Sequence, residues 1–134
     1  QRRYGGLIVM VKETGLRPVV ETGVRLQAEV STPLIVSIFN PRSPLHDGAI
    51  VIQNELIEAA RCILPLSESQ ELDPNLGTRH RAAVGLSEES DAVVIVVSEE
   101  TGTISIAYKG ILKRGFDEQT MRKELEQDLR VTPS

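Results

Sequence analysis

The stretch GLIVMVKE, residues 6–13, determines the fold class of this 134-residue chain. Its apolar residues are continuous and rich in β-branched valine and isoleucine, without the polar alternation of a strand that faces water on one side. A run of this kind is typical of a strand that is buried on both faces, as strands of parallel and mixed sheets are. We therefore predict a core strand here, with other elements packed on both of its faces.

Four further segments of the sequence are predicted to form strands. The segments are GAIVI (48–52), ELIEAARCIL (55–64), DAVVIVVSEE (91–100) and TISIAYKG (103–110). Turn residues Gln53-Asn54 separate the first two, and Thr101-Gly102 separate the last two, so each pair predicts a hairpin.

Three segments predict helices: STPLIVSIFN (31–40), RHRAAVGLSEES (79–90) and DEQTMRKELEQDLR (117–130). The first has Ser31 or Thr32 as N-cap and Pro33 at its first position, and Thr78 can cap the second. The third has Asp117 as N-cap and an apolar stripe. Its expected ion pairs are Glu118 with Arg122 and Glu126 with Arg130.

Strands that interleave with helices and include hairpins predict an α/β (mixed α+β) fold, in which helices flank a twisted mixed β-sheet. The length is that of one domain, and no internal repeat or low-complexity tract interrupts it. We expect a single domain over residues 1–134.

Composition excludes several function classes. The chain has 19 acidic and 15 basic residues, a net charge of −4, which argues against a broad nucleic-acid surface. Its one cysteine, Cys62, excludes an internal disulfide and a multi-cysteine zinc site, and it lies in an apolar run typical of the core. No apolar stretch approaches the roughly 20 residues that cross a bilayer.

Three polar clusters stand at the ends of apolar elements, where α/β sheets usually place ligand sites. They are SPLHDGA (43–49), GTRHR (77–81) and SEETG (98–102). GTRHR opens a helix, whose free N–H groups together with Thr78 and Arg79 suit phosphate oxygens. The alternative is a capped helix with three solvated basic residues.

The other two clusters also leave alternatives open. Asp47-Gly48 could be a turn, although the prolines before it fit a tight hairpin poorly; His46 and Asp47 could hold a divalent cation, or Asp47 could accept a hydroxyl proton. Glu99 and Glu100 could be solvated acids or could complete a cation site. Carboxylates that hold a metal, with basic donors that hold phosphates, are the minimum for nucleotidyl transfer.

Three segments together carry a resemblance to a known family. RRYGGLIVMVKETGL (2–16), SPLHDGAIVI (43–52) and GTRHRAAVGLSEESDAVVIVVSEETG (77–102) resemble the diadenylate cyclase (DAC) domain, in the same order. The likeness runs from about Arg3 to Phe116 and is greatest to the bacterial type that follows transmembrane helices. Either motif, DGA or RHR, would be weak alone; the pair at this separation is specific.

The resemblance implies that two ATP molecules condense to cyclic di-AMP and two pyrophosphates, with Mg²⁺ or Mn²⁺. By motif, His46, Asp47 and Glu100 would bind the metal, and Asp47 would help to activate the ribose 3′-hydroxyl. The catalytic residues would be Asp47, Arg79 and His80. The substrate-binding residues would be Gly48, Ala49, Leu64, Thr78, Arg79, His80, Arg81 and Ser98. Ile63 replaces an aromatic residue that is often found beside the base.

The resemblance also implies the surroundings of the domain. We expect a homodimer in which each subunit supplies half of the active site, no nucleic-acid partner, and regulatory protein partners. The chain would be a soluble, cytoplasmic part of a bacterial membrane protein, attached through segments outside it. The alternatives are a non-catalytic sensor of ATP or a cyclic dinucleotide, and a partner-docking regulatory domain.

Overall fold

A computed structural model describes residues 4–129 and contains one seven-stranded sheet with four helices in that range. The strands are β1 (Gly6–Met10), β2 (Val24–Glu29), β3 (Ala49–Gln53), β4 (Leu56–Cys62), β5 (Val93–Val97), β6 (Ile104–Tyr108) and β7 (Ile111–Phe116). The helices are α1 (Arg17–Val20), α2 (Thr32–Phe39), α3 (Thr78–Glu89) and α4 (Glu118–Asp128).

Strand β1 lies at the centre of the sheet, whose order is β2-β4-β3-β1-β5-β6-β7. It pairs in parallel with β3, where Ile8 lies opposite Ile50, and antiparallel with β5, where Ile8 lies opposite Ile95. All other pairs are antiparallel. The predicted mixed sheet, with a core strand at GLIVM, is therefore confirmed.

Alternate residues of β1 enter two different cores. Leu7 and Val9 are buried in a cluster that includes residues of α3, with Val19 and Val20 of α1 packed against it. Ile8, on the other face, packs on the cluster that contains Ile38 and Phe39 of α2. Burial on both faces explains why the β1 sequence is apolar without interruption.

Two strands were missed by the sequence prediction, and both form edges of the sheet. Strands β2 and β7 are largely exposed and contain charged residues, so they lack the apolar run that marks the core strands. The first hairpin turn also lies one residue later than predicted. It is formed by Asn54 and Glu55, whose φ values are 53° and 64°, and such a pair of positive φ values suits a two-residue hairpin.

The helix caps agree with the predictions at two ends and differ at one. Ser31 caps α2, and Asp117 forms a capping box with Thr120. The N-cap of α3 is Gly77, however, and Thr78 is the first helical residue, so the prediction that Thr78 caps this helix was wrong. With an extended glycine at the cap, the Thr78 side chain is not consumed in capping.

The predicted ion pairs of α4 are only partly within the described residues. Arg122 lies 3.5 Å from Glu118, which confirms the first pair. The second pair, Glu126 with Arg130, falls outside them because Arg130 is not among residues 4–129.

The directions of the strands bring the ends of five strands to the same end of the sheet, across the strand axes. Since β3 runs parallel to β1, and β5 runs antiparallel to it, the starts of β1 and β3 lie beside the end of β5. The start of β6 and the end of β7 lie at the same end of the sheet. The loops around Asp47 and Ser98 are thereby brought to one side, although they are far apart in sequence.

The packing of α3 generates a stability prediction at Gly85. A Cβ atom built there would collide with the carbonyl oxygen of Pro65 and lie 2.7 Å from the Ser67 nitrogen. Alanine is favoured over glycine in helices by about 1 kcal/mol, but these backbone atoms cannot move away by a rotamer change. We expect Gly85→Ala to lower the free energy of unfolding by about 1–3 kcal/mol in urea denaturation.

The matched control is Gly15→Ala, because no residue of the described range other than its chain neighbours has an atom within 4 Å of a Cβ at that position. We expect that variant to unfold within about 1 kcal/mol of the wild type. A Gly85→Ala protein as stable as Gly15→Ala would contradict the close packing of α3 on the Pro65 segment.

Candidate active site

A cleft of about 550 Å³ lies at the end of the sheet where the loops around Asp47 and Ser98 come together. It is lined by one side of the loop before β3, the first turn of α3, the end of β5 and the neighbouring parts of β6 and β7. The predicted site residues that line it are Asp47, Gly48, Thr78, Arg79, His80, Ser98 and Glu100. All three polar clusters of the sequence therefore contribute to one cleft.

The N-terminus of α3 forms the cationic wall of the cleft. Its cap, Gly77, makes no side-chain hydrogen bond, and its first turn contains no acidic residue. The first hydrogen bond of the helix is donated by Arg81 to Gly77, and α-helical geometry leaves the earlier N–H groups unpaired within the helix. Those N–H groups and the helix dipole favour an anion at this position.

Arg79 is held between a glycine and an acid. Its Nη1 atom lies 3.6 Å from Glu99 Oε1, with both side chains partly exposed. A Cβ atom at Gly5 would lie 2.8 Å from the Arg79 guanidinium carbon. The absence of a side chain at Gly5 is therefore what allows the guanidinium to occupy this place.

The surroundings of His80 favour the neutral form of its ring. Burial lowers the pKa of His80 below its ordinary value of 6.5, and the positive charges of Arg114 and Arg79 lower it further. A neutral imidazole beside two guanidinium groups can still donate a hydrogen bond, and a bound anion would favour its protonated form.

His46 pairs with Asp47, which lines the cleft, although His46 itself does not. The Nδ1 atom of His46 lies 2.7 Å from the carbonyl oxygen of Ser43, so Nδ1–H donates and Nε2 keeps its lone pair in the neutral ring. Nε2 is 3.3 Å from Asp47 Oδ1. Two acceptors that face each other are suited to share a cation, either a proton or a metal ion.

The backbone at Gly48 fixes this pair in place. Gly48 has a φ of 86°, and a Cβ there would lie 2.7 Å from the Cys62 carbonyl oxygen. Both facts require glycine at the position. The Asp47 carboxylate beside it is 76% exposed and so is accessible to a ligand.

The donor set for a metal is smaller than the sequence suggested. Among residues 4–129, no three histidine, cysteine, aspartate or glutamate side chains are grouped as metal ligands. Glu100 lines the cleft but is not gathered with His46 and Asp47 into one ligand group. Mg²⁺ commonly binds through one or two carboxylates with substrate phosphates and water, and the exposed carboxylate of Asp47 fits that arrangement.

Ser98 organises the turn after β5. Its Oγ accepts hydrogen bonds from the backbone N–H groups of Glu100, at 3.3 Å, and Thr101, at 3.5 Å. Within the described part of the chain these bonds use only the lone pairs of the hydroxyl. Its proton is left to donate toward the cleft that Ser98 lines.

Four predicted site residues do not line the cleft: His46, Ala49, Leu64 and Arg81. Arg81 donates instead to the carbonyl oxygens of Leu76 and Asp73, so it supports the loop that precedes α3. The side chains of Ala49 and Leu64 are buried in the core, so a nucleotide could meet these two residues only through their backbone.

The sequence prediction missed Ser105 of β6 and Arg114 of β7, which also line the cleft. Neither lies in a polar cluster, and β7 itself was not predicted. Cys62, by contrast, was correctly assigned to the core: it is 1% exposed, and burial raises the pKa of its thiol to about 11, so it is not a nucleophile at neutral pH.

A larger cleft, of about 850 Å³, lies at the opposite end of the strands. Its lining includes Met10, Lys12 and the β3–β4 turn, which are at the far ends of β1 and β3. It contains none of the predicted site residues, and the smaller cleft is therefore the candidate site.

Known proteins resemble this chain over nearly its whole length. It is 48% identical over 97% of its residues to the cyclic di-AMP synthase CdaA of Bacillus subtilis, and 47% identical over 96% to a diadenylate cyclase of Listeria monocytogenes. A crystal structure of DacA from Staphylococcus aureus, a double mutant, superimposes with a TM-score of 0.91 at 47% identity, covering 95% of this chain and 85% of that one.

The chain spans only 48% and 47% of the length of the B. subtilis and L. monocytogenes relatives. In the described range, no helix has the length and apolar character of a membrane span. The DAC family, described as "DisA bacterial checkpoint controller nucleotide-binding", matches residues 1–112. With this match, and with the fold and cleft described above, the chain belongs to the DAC family.

Proposed function

We propose that this domain is a diadenylate cyclase, which joins two ATP molecules into cyclic di-AMP and releases two pyrophosphates. The observation that carries the proposal is the combination of groups that line the cleft. The N-terminus of α3, which suits an anion, lines it together with the exposed carboxylate of Asp47. The similarity to a cyclic di-AMP synthase and to a diadenylate cyclase supports the same reaction.

The phosphates of ATP would bind at the first turn of α3. Thr78 and Ser98 offer hydroxyl donors, Arg79 offers its guanidinium, and His80 offers a ring N–H. In the free protein Glu99 occupies Arg79 at 3.6 Å, and a bound triphosphate would replace that weak, partly exposed pair by charge-assisted hydrogen bonds. Arg81 contributes indirectly by holding the preceding loop.

The ribose would lie against the His46–Asp47 pair. A divalent cation, Mg²⁺ or Mn²⁺, bound there with phosphate oxygens, would supply charge neutralisation at the reacting phosphate. Asp47 is the residue that we assign to the 3′-hydroxyl, because its exposed carboxylate can accept a hydroxyl proton. Glu100, on the opposite lip, is a second acid within the same cleft.

The adenosine part would meet mainly backbone atoms. Gly48 has no side chain to obstruct the nucleotide, and Ala49 follows it at the start of β3. Leu64, whose side chain is buried, can offer only its backbone groups to the adenine edge. Ile63 beside it is 69% exposed and can supply an apolar contact to the base.

The product imposes a two-fold arrangement. Each 3′-oxygen attacks the α-phosphorus of the other ATP, the α–β phosphorus–oxygen bond breaks, and pyrophosphate leaves with the bonding electrons. Two copies of this chain, each holding one ATP and facing each other across a two-fold axis, present both attacks in the same geometry. We therefore propose that the active species is a homodimer.

The surroundings of the domain are proposed from its relatives. A solved structure from Bacillus cereus described as a hypothetical membrane-spanning protein is 52% identical, has a TM-score of 0.82 and covers 85% of this chain. We propose that segments outside this sequence attach the domain to a bacterial membrane, with the cleft on the cytoplasmic side where ATP is available. Regulatory proteins would then act on the attached domain.

The first prediction concerns Asp47→Asn. We expect this variant to bind ATP but to form cyclic di-AMP at least about 100-fold more slowly than the wild type, because the amide cannot accept the hydroxyl proton. The measurement is chromatographic separation of products after incubation with ATP and Mn²⁺. Glu21→Gln, an exposed charge change at the end of α1, is the control and should keep wild-type turnover.

Other outcomes of that assay select the rival functions. ATP binding by the wild type without any product would favour a nucleotide sensor. A wild type that binds no nucleotide would favour a docking domain, and Asp47→Asn with full turnover would refute the role given to Asp47.

The second prediction concerns protein concentration. If two chains share each reaction, the specific rate should fall in proportion to dilution once the protein is well below its dimer dissociation constant. The measurement is the initial rate of product formation over a 1000-fold dilution series, compared with the dimer fraction from analytical ultracentrifugation. A specific rate that stays constant while the dimer dissociates would contradict the shared site.

The third prediction concerns His80. Because burial, Arg114 and Arg79 lower its pKa, the free protein should titrate His80 below pH 6.5, and bound Mg·ATP should raise that midpoint. NMR of the ring Cε1–H signals can measure both values, since the chain has only two histidines and His80→Gln assigns them. A midpoint at or above 6.5 without ligand would contradict this environment.

The same shift has a consequence for stability. Between the lowered pKa of folded His80 and 6.5, the unfolded chain binds more protons than the folded one. The contribution of His80 to the free energy of unfolding should therefore rise with pH across that window and level off above it.

A further inference from the structure

Arg114 and Ser105 face each other on neighbouring strands and belong to none of the predicted motifs. Ser105 of β6 is the direct cross-strand partner of Arg114 of β7, and both residues line the cleft. Cross-strand partners place their side chains on the same face of a sheet. The two residues therefore form a unit at the β7 side of the cleft.

The hairpin between these strands fixes that pairing. Lys109 and Gly110, with φ values of 52° and 79°, form the turn that sets Tyr108 opposite Ile111. The register then continues without interruption to Ser105 and Arg114, and it shifts directly beyond them at Gly115, whose φ is 84°. Bulges at such positions are commonly found beside active sites, where they direct a side chain.

Neighbouring residues show which face Arg114 occupies. Lys113 points to the opposite face, where its Nζ donates to Glu124 of α4 at 2.9 Å. Leu112, two residues before Arg114, packs on the core cluster that contains α3. Arg114 is thus on the α3 side, and its charge acts on His80 in the first turn of that helix.

Arg114 carries an uncompensated charge. Among residues 4–129, the ion pairs within 4.0 Å involve His46, Arg79, Lys113 and Arg122 as the basic partners, and none involves Arg114. Arg79, by comparison, already has Glu99. An arginine that lines a cleft without an acidic partner is suited to bind an anionic ligand.

Ser105 supplies an independent indication of a ligand. The residue is 1% exposed, and its Oγ has no hydrogen-bond partner in the described part of the chain. A buried hydroxyl without a partner is unfavourable for the free protein. An incoming acceptor in the cleft would satisfy it.

We propose that Arg114 and Ser105 bind the terminal phosphates of ATP, the part that leaves as pyrophosphate; this rests on the proposed function. The sheet order puts β7 four strands from β3, which is about 19 Å at normal strand spacing. Arg114 therefore lies at the far side of the cleft from Asp47, with the α3 N-terminus between them. The β- and γ-phosphates are the part of ATP farthest from its ribose.

This placement gives Arg114 a role in the reaction. When the α–β phosphorus–oxygen bond breaks, the bonding electrons go to the bridging oxygen, so negative charge grows on the departing pyrophosphate. The Arg114 guanidinium, which has no ion pair within 4.0 Å among residues 4–129, can bind two oxygens of that group at once. Arg114 would thus favour both triphosphate binding and departure of pyrophosphate.

The test compares nucleotides that differ in phosphate number. The ligands are AMP, ADP and an ATP analogue with a methylene α–β bridge, which cannot react, and the affinities are measured by calorimetry with Mg²⁺. For Arg114→Gln we expect affinity for the ATP analogue to fall about 10- to 100-fold, with AMP affinity unchanged. Lys113→Gln, which removes the same charge from the other face of β7, should leave all three affinities unchanged.

Two further variants separate binding from a structural role. Ser105→Ala should lower the affinity for the ATP analogue several-fold. The urea midpoint of unfolding of this variant should equal or exceed that of the wild type, because an unsatisfied hydroxyl is removed. Arg114→Lys should recover only part of the lost affinity, since lysine keeps the charge but loses the paired donors.

Each result has a distinct meaning. Equal losses for AMP and the ATP analogue in Arg114→Gln, or no loss for either, would overturn the assignment of Arg114 while leaving the proposed function intact. A wild-type protein that binds none of the three nucleotides would overturn the proposed function and this assignment together.

Discussion

The pairing of β1 with β3 on one side and β5 on the other is the constraint on which the rest of the molecule depends. Because β1 has one parallel and one antiparallel neighbour, the start of β3 and the end of β5 lie at the same end of the sheet. His46, Asp47 and Ser98 lie in the loops at those points. The apolar residues of β1 hold this arrangement because Leu7 and Val9 enter one core and Ile8 the other.

Charge is distributed across the resulting cleft in a way that suits a nucleoside triphosphate. The α3 N-terminus, Arg79 and Arg114 form a cationic side, and the exposed carboxylate of Asp47, which pairs with His46, also lines the cleft. Because Gly77 caps α3 without a side-chain bond, the helix start remains open to an anion. A protein with a net charge of −4 can thus offer a local cationic region without a broadly basic surface.

Sequence reasoning predicted the core of the fold and most of the cleft, and its errors have physical causes. The buried strands were recognised because burial requires apolar residues, whereas the edge strands β2 and β7 were missed because exposure removes that requirement. Arg81 stands within RHR, yet it donates to Leu76 and Asp73. Adjacent residues on a helix point in different directions, so a motif of three does not yield three cleft residues.

By itself the sequence determined the mixed α/β class, the buried strand at GLIVM, the place of GTRHR at the start of a helix and the likeness to the DAC family. Only the tertiary structure decided which clusters meet, because strand order and direction are not local properties. It also decided that Glu99 pairs with Arg79, and that Arg114 joins the cleft through its register with Ser105. A hairpin register aligns residues nine positions apart, and no local pattern in the sequence records that Arg114 comes to line the same cleft as His80.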